Sequence, residues 1–235
     1  MKINMKIEKE IVLFCLNDFF DLFKLRLENY KNFNYKYSYK CNNGKKYPLL
    51  HLSCKIGNLN MVKYLLKKDK EVLNQIENNN TPLSLSCKNG YIEIVDFLIK
   101  EGANINYENL DKNLLEIMIL KSTPNHLKII ELFLKNNFDV NKPNVFKYTP
   151  LGLAINNNNK EVINLLLEYN ADINFRNFIG TSCLELAFSY SDDEILLKFL
   201  PYMNSTQIEK IKNSKKFNKL MSYYNSNNKI KSARK

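Results

Sequence analysis

Five cysteines and two histidines are the side chains of this 235-residue sequence best suited to hold a metal or to act as nucleophile and base. Cys15, Cys41, Cys54, Cys87 and Cys183 are an odd set, and none makes the close C-x-x-C pair of a zinc knuckle or a thioredoxin-like redox site. They read as free thiols in a reducing compartment. His126 has no nearby serine, cysteine or paired carboxylate to work with, and no glycine-rich phosphate loop is present. The chain is therefore expected to be non-enzymatic, with no cofactor and no metal.

A second chemistry lies in the basic segments. Tyr30, Phe33, Tyr35, Tyr37 and Tyr39 interleave with Lys31, Lys36, Lys40, Lys45 and Lys46, a mixture that can stack bases and neutralise phosphates. Lys215, Lys216 and Lys219 repeat the theme beside Phe217, Tyr223 and Tyr224. Of the net charge of +11, the span 201–235 holds nine basic residues and one acid, so the remainder is close to neutral apart from 31–46. Binding of a polyanion through 31–46 and 210–235 is the alternative functional reading. The polyanion would be RNA or DNA, an acidic protein or an anionic membrane surface. Against it, a composition this rich in Asn, Lys, Ile, Tyr and Phe reads as A/T-rich coding, which generates lysine–aromatic text freely.

With 45% hydrophobic residues the chain can bury a core, and no stretch reaches the ~18 uninterrupted apolar residues of a membrane span. The apolar run from Ile11 to Leu16 ends at Asn17-Asp18 without a small-residue cleavage site. The cytoplasm is the expected location, with the nucleus as a second possibility.

These residues are positioned by a repeat. Leu50-His51-Leu52-Ser53-Cys54-Lys55-Ile56-Gly57 returns as Leu83-Ser84-Leu85-Ser86-Cys87-Lys88-Asn89-Gly90, an offset of 33. Met61-Val62-Lys63-Tyr64-Leu65-Leu66 returns as Ile94-Val95-Asp96-Phe97-Leu98-Ile99 at the same offset. Thr81-Pro82-Leu83 and Thr149-Pro150-Leu151 open units, with a threonine placed to cap a helix and proline at the first helical position. Period and opening resemble the ankyrin repeats. Leu49, Pro82, Leu114, Pro150 and Cys183 fall at the proline position of that motif, at successive spacings of 33, 32, 36 and 33. Cys54 and Cys87 then occupy one buried small-residue position in successive units, which explains their spacing without a metal.

The resemblance implies a mainly α, ankyrin-type solenoid of stacked helix-turn-helix repeats joined by β-hairpin-like finger loops. Residues 1–46 read as a degenerate N-terminal capping repeat with a basic, aromatic loop, offset by 39 from the unit that follows. Residues 47–203 hold five repeats, and 204–235 a C-terminal capping helix and a basic tail expected to be disordered after Asn225. In the family the histidine of the motif bonds to backbone in a neighbouring loop, so His51 is expected to be structural.

Function follows from the fingers. The resemblance places Leu110, then Val145, Phe146 and Tyr148, then Phe178 and Ile179 at successive tips along the concave face. Large apolar groups on three adjacent tips form a patch of the kind that marks interfaces. The competing reading is that they pack on one another, or on the insertion at Ser122-Thr123-Pro124-Asn125. The leading expectation is a monomeric scaffold or adaptor that binds a protein partner there.

Overall fold

The computed structural model describes residues 10–29, 34, 39–40, 46–109, 112–144, 146–190, 193–212 and 221. The chain divides into two compact units, Met1–Phe138 and Asp139–Lys235.

The first unit is built from antiparallel helix pairs. Helix α1 runs through 10–16 and is followed by α2 (Phe20–Glu28). The pairs α3 (Leu49–Ile56) with α4 (Leu59–Lys68), α5 (Pro82–Asn89) with α6 (Ile92–Lys100), and α7 (Leu114–Lys121) with α8 (Pro124–Lys135) follow. Helix α3 packs on α5 and α5 on α7, while α4 packs on α6 and α6 on α8. Two short antiparallel ladders lie between helices. β1 (Tyr39–Lys40) pairs with β2 (Lys46–Tyr47), and β3 (Glu108–Asn109) with β4 (Lys112–Asn113). The second unit repeats the scheme with α9 (Pro150–Asn156), α10 (Lys160–Glu168), α11 (Cys183–Tyr190) and α12 (Asp193–Phe199), then α13 (Ser205–Lys212). There α9 packs on α11 and α10 on α12.

The helices start where the sequence supplies a side-chain acceptor. Thr81 accepts from the Ser84 amide at 3.1 Å while Ser84 Oγ accepts from the Thr81 amide at 2.9 Å, a reciprocal capping box ahead of Pro82. Asn58, Asn159 and Asn113 cap α4, α10 and α7 in the same way through the amides of Met61, Val162 and Glu116. Between the helices of a pair the chain must turn sharply. Gly57 and Gly90 do this with φ of 91° and 74°, a region closed to most L-residues, and Asn158 does it at 51° where the fourth repeat has no glycine.

Gly57 carries a second constraint, because a Cβ there would lie 2.7 Å from the Tyr91 ring of the next repeat. Gly57→Ala is expected to cost about 1–3 kcal/mol, seen as a lower urea midpoint with unchanged slope. An unchanged midpoint would show that neither the turn nor the ring holds this position.

The cores of the units are aliphatic. Leu50, Met61, Val95, Leu98, Ile129 and Phe133 are fully buried in the first, and Leu151, Ile163, Leu166 and Phe199 in the second. Cys15, Cys54 and Cys87 recur at one buried position, with Cys15 Sγ 3.7 Å from Ser53 Oγ of the following repeat. Burial pushes the Cys54 thiol up to about 12 and that of Cys87 higher still, so both stay protonated and pack as small hydrophobes. Cys183 is buried as well, and Cys41 lies outside the described residues.

Polar rungs tie neighbouring repeats together at their edges. Asn74 Oδ1 accepts from the Asn104 amide at 2.9 Å, and Asn141 Oδ1 from the Asp172 amide at 2.8 Å. The insertion before α8 is similarly engaged, since Asn125 Nδ2 donates to the Gly90 carbonyl at 3.0 Å. The insertion thus seats on the α5–α6 turn. Helix α13 begins on a box between Asn204 and Gln207, each side chain accepting the other's amide at 2.9 Å. Of the C-terminal span expected to form a closing helix and a basic tail, 213–220 and 222–235 lie outside the described residues.

Candidate functional site: two apolar fingers

The second unit carries two finger loops of one design. In the first, the Asn144 amide donates to the Tyr148 carbonyl and the Lys147 amide to the Asn144 carbonyl, both at 2.9 Å. Asn144 Oδ1 accepts from the amides of Phe146 and Tyr148, both at 3.0 Å. In the second, one repeat further along, the Asn177 amide donates to the Thr181 carbonyl and the Gly180 amide to the Asn177 carbonyl, both at 3.0 Å. Asn177 Oδ1 accepts from Ile179 at 3.1 Å and Thr181 at 3.0 Å. Lys147 and Gly180 hold the matching left-handed positions, φ 55° and 81°. One asparagine side chain thus latches the backbone of each finger and fixes what its tip presents.

The tips present hydrocarbon. Phe146 is 60% exposed, and Phe178 and Ile179 are each 63% exposed. Tyr148 is half-buried and meets Phe178 edge to face, ring centroids 6.4 Å apart at 71°, which braces the second finger against the first. Tip-to-tip packing therefore engages Tyr148 and leaves the outer faces of Phe146, Phe178 and Ile179 in water. Leu110 and Val145 lie outside the described residues.

The base of the fingers is closely packed. Thr149 caps α9 through the Gly152 amide at 3.3 Å and touches Cys183 Sγ at 3.4 Å. The seam lined by Tyr148, Thr149, Gly152, Phe175 and Cys183 leaves no room for a water molecule. Beside it, Ser182 and Glu185 form a capping box at 2.8 and 3.1 Å, and Arg176 grips both Glu185 oxygens at 3.0 and 3.2 Å and also reaches the Gly180 carbonyl. The Ser182 amide, and then the Arg176 guanidinium, hold the Glu185 carboxyl below its ordinary pKa. Arg176 thereby fastens the second finger to the first turn of α11.

The histidines sit elsewhere and are structural. His51 is fully buried, with Nε2 3.1 Å from the Asn80 carbonyl in the next loop, and burial lowers its pKa to about 4. His126 places Nδ1 2.5 Å from the Thr123 hydroxyl that caps α8, and burial lowers its pKa too. The lone pairs of that hydroxyl serve the helix start, where it accepts from the His126 amide. Among the described residues no three His, Cys, Asp or Glu side chains gather to hold a metal, and no helix is long and apolar enough to cross a membrane.

The basic segments named from sequence fall largely outside this picture. Lys31, Lys36, Lys45, Lys215, Lys216 and Lys219 lie outside the described residues, as do the side chains of Lys40 and Lys46, whose backbones pair in the β1–β2 ladder.

The helix pairs, left-handed turns and fingers all recur at the sequence period, and the family model for ankyrin repeats, three copies long, matches residues 12–109 and again 117–210. The chain belongs to the ankyrin-repeat family. Ankyrin repeats are in general protein–protein interaction modules. Comparison with curated proteins returns no match. The match to the ankyrin model is interrupted over 110–116, where the third repeat opens with Lys112-Asn113-Leu114 in place of Thr-Pro and Asn113 does the capping.

Asn144 and Asn177 are the site residues that sequence reasoning passed over. The clue was present in their spacing of 33 and in the capacity of asparagine to accept backbone amides two and four residues ahead. In an asparagine-rich chain it was hidden among many others.

Proposed function

We propose that this ankyrin-repeat protein is a non-catalytic scaffold or adaptor that binds a partner protein on the finger tips of its second unit, with Phe146, Tyr148, Phe178 and Ile179 as anchors. One observation carries the reading. Three large apolar side chains stand in water on loops whose backbones are latched and whose bases are packed dry. Free, flexible apolar tips would bury themselves. Latched ones lose little conformational entropy on binding, which is what makes a preorganised anchor effective. The surface suits an apolar segment of a protein chain that lies across both tips. Val145, next to Phe146 in the sequence, is counted with this proposed surface, whereas Leu110 belongs to the first unit.

Phe146→Ala and Phe178→Ala test the reading. Each is expected to weaken partner capture by roughly 30-fold, about 2 kcal/mol, with circular dichroism unchanged. Glu161→Ala, on the exposed face of α10, should bind as the parent does. Unchanged capture by both phenylalanine variants would remove the fingers from the interface.

A further inference from the structure

Eight non-glycine residues have positive φ among the described residues, and seven of them are Asn, Asp or Ser. Short polar side chains of this kind suit the left-handed region. Lys147, at φ 55° on the first finger of the second unit, is the eighth. It stands three residues before Pro150, the first residue of α9. The same place ahead of α5 holds Asn79 at φ 55°, and ahead of α11 Gly180 at φ 81°. A lysine meets the steric cost of its Cβ there, about 1 kcal/mol or more, and gains nothing local in return. Backbone strain of this kind collects where a side chain is needed for binding.

The side chain that this strain keeps is exposed, next to Phe146, and borders the seam between the two fingers. The other charges on the finger loops are engaged. Arg176 grips both oxygens of Glu185, which neutralises the pair. Asp139 accepts from the Asn141 amide at 2.9 Å and Asp172 from the Asn174 amide at 2.8 Å, so each is turned to its own backbone. Lys142 has a partner of its own. Helix α9 brings no charged side chain, and α11 brings only Glu185. Lys147 forms no ion pair among the described residues and leaves one positive charge beside the apolar tips.

We propose that Lys147 selects the partner: the segment lying across the fingers carries an Asp or Glu carboxylate beside its large apolar residues, and the Lys147 ammonium meets that carboxylate. The inference rests on the fingers being a protein-binding site, and adds to that reading the chemistry of the segment they take. Opposite charge at the edge of an apolar contact fixes register and rejects segments with a basic residue there.

Selection of a random peptide library on the full chain, followed by titration of the recovered peptides, tests it. The peptides are expected to pair Asp or Glu with large apolar residues. Lys147→Asn, which suits the left-handed turn, should weaken them about fivefold while the urea midpoint holds or rises. Lys147→Arg should weaken them less. Changing the peptide's acid to its amide should cost the parent a similar factor and cost Lys147→Asn nothing further. Added salt should shrink the difference between parent and variant. Peptides that need Phe178 but carry no acid, or that Lys147→Asn binds as tightly as the parent does, overturn this inference alone. A library that yields no peptide needing Phe178 overturns the reading of the fingers, and this inference with it.

Discussion

Asn177→Ala is expected to destabilise the second unit by about 1–3 kcal/mol and to weaken partner binding by more than that loss of stability accounts for. Asn177 is 6% exposed, and its Oδ1 is the acceptor for the amides of Ile179 and Thr181. Alanine removes the acceptor and leaves two N–H groups in a loop that has lost its template. Ile179 and Phe178 would then sample many orientations, and binding would have to restore one of them. Asn177→Asp keeps the acceptor but sets a charged oxygen where Nδ2 is buried without a partner, so it should keep more of the binding than Asn177→Ala at a cost in stability. Urea denaturation paired with partner titration separates the two effects. If Asn177→Ala bound as tightly as the parent, the latch would be ornamental and preorganisation would be the wrong account of these fingers.

The second large effect depends on pH. His51 donates from Nε2 to the Asn80 carbonyl, while its Nδ1 is buried without a partner, so the folded protein holds the ring neutral. Its pKa falls from the ordinary 6.5 to about 4, chiefly through burial. The unfolded chain takes up a proton below about 6.5 that the folded chain refuses until about 4, so the unfolded state binds more protons in that window. Stability is therefore complete above pH 6.5 and is lost as the pH falls toward 4, by an amount on the order of 3 kcal/mol. His126 shifts in the same direction, so the comparison must be between proteins that differ at one site. His51→Gln cannot titrate, and the difference in unfolding free energy between parent and variant should narrow from pH 6.5 to 4. A difference that stays constant across the window would mean that the buried ring accepts its proton in the fold.

Much of the architecture was legible before the fold was seen, because the repeat is written in residues whose physics is local. Thr81 with Pro82, Gly57 with Gly90 and Cys54 with Cys87 each announce a cap, a left-handed turn or a tight helix contact. Register at the third repeat was harder, since Leu114 replaces proline and the capping passes to Asn113. The fingers were found through their apolar tips, but the groups that shape them were not. Asn144 and Asn177 differ from the other asparagines only in where the chain turns back on them, which is a property of the folded loop.

The central claim is that the latched tips of the second unit meet a protein partner, and site-specific photo-crosslinking tests it most directly. A photoreactive residue in place of Ile179 or Phe146 is expected to trap one and the same protein, in a yield that Phe178→Ala sharply lowers. The same probe in place of Asn164, on the exposed face of α10, is expected to trap none of it. Equal trapping at Asn164, or none at either tip while the partner is bound, would contradict the account.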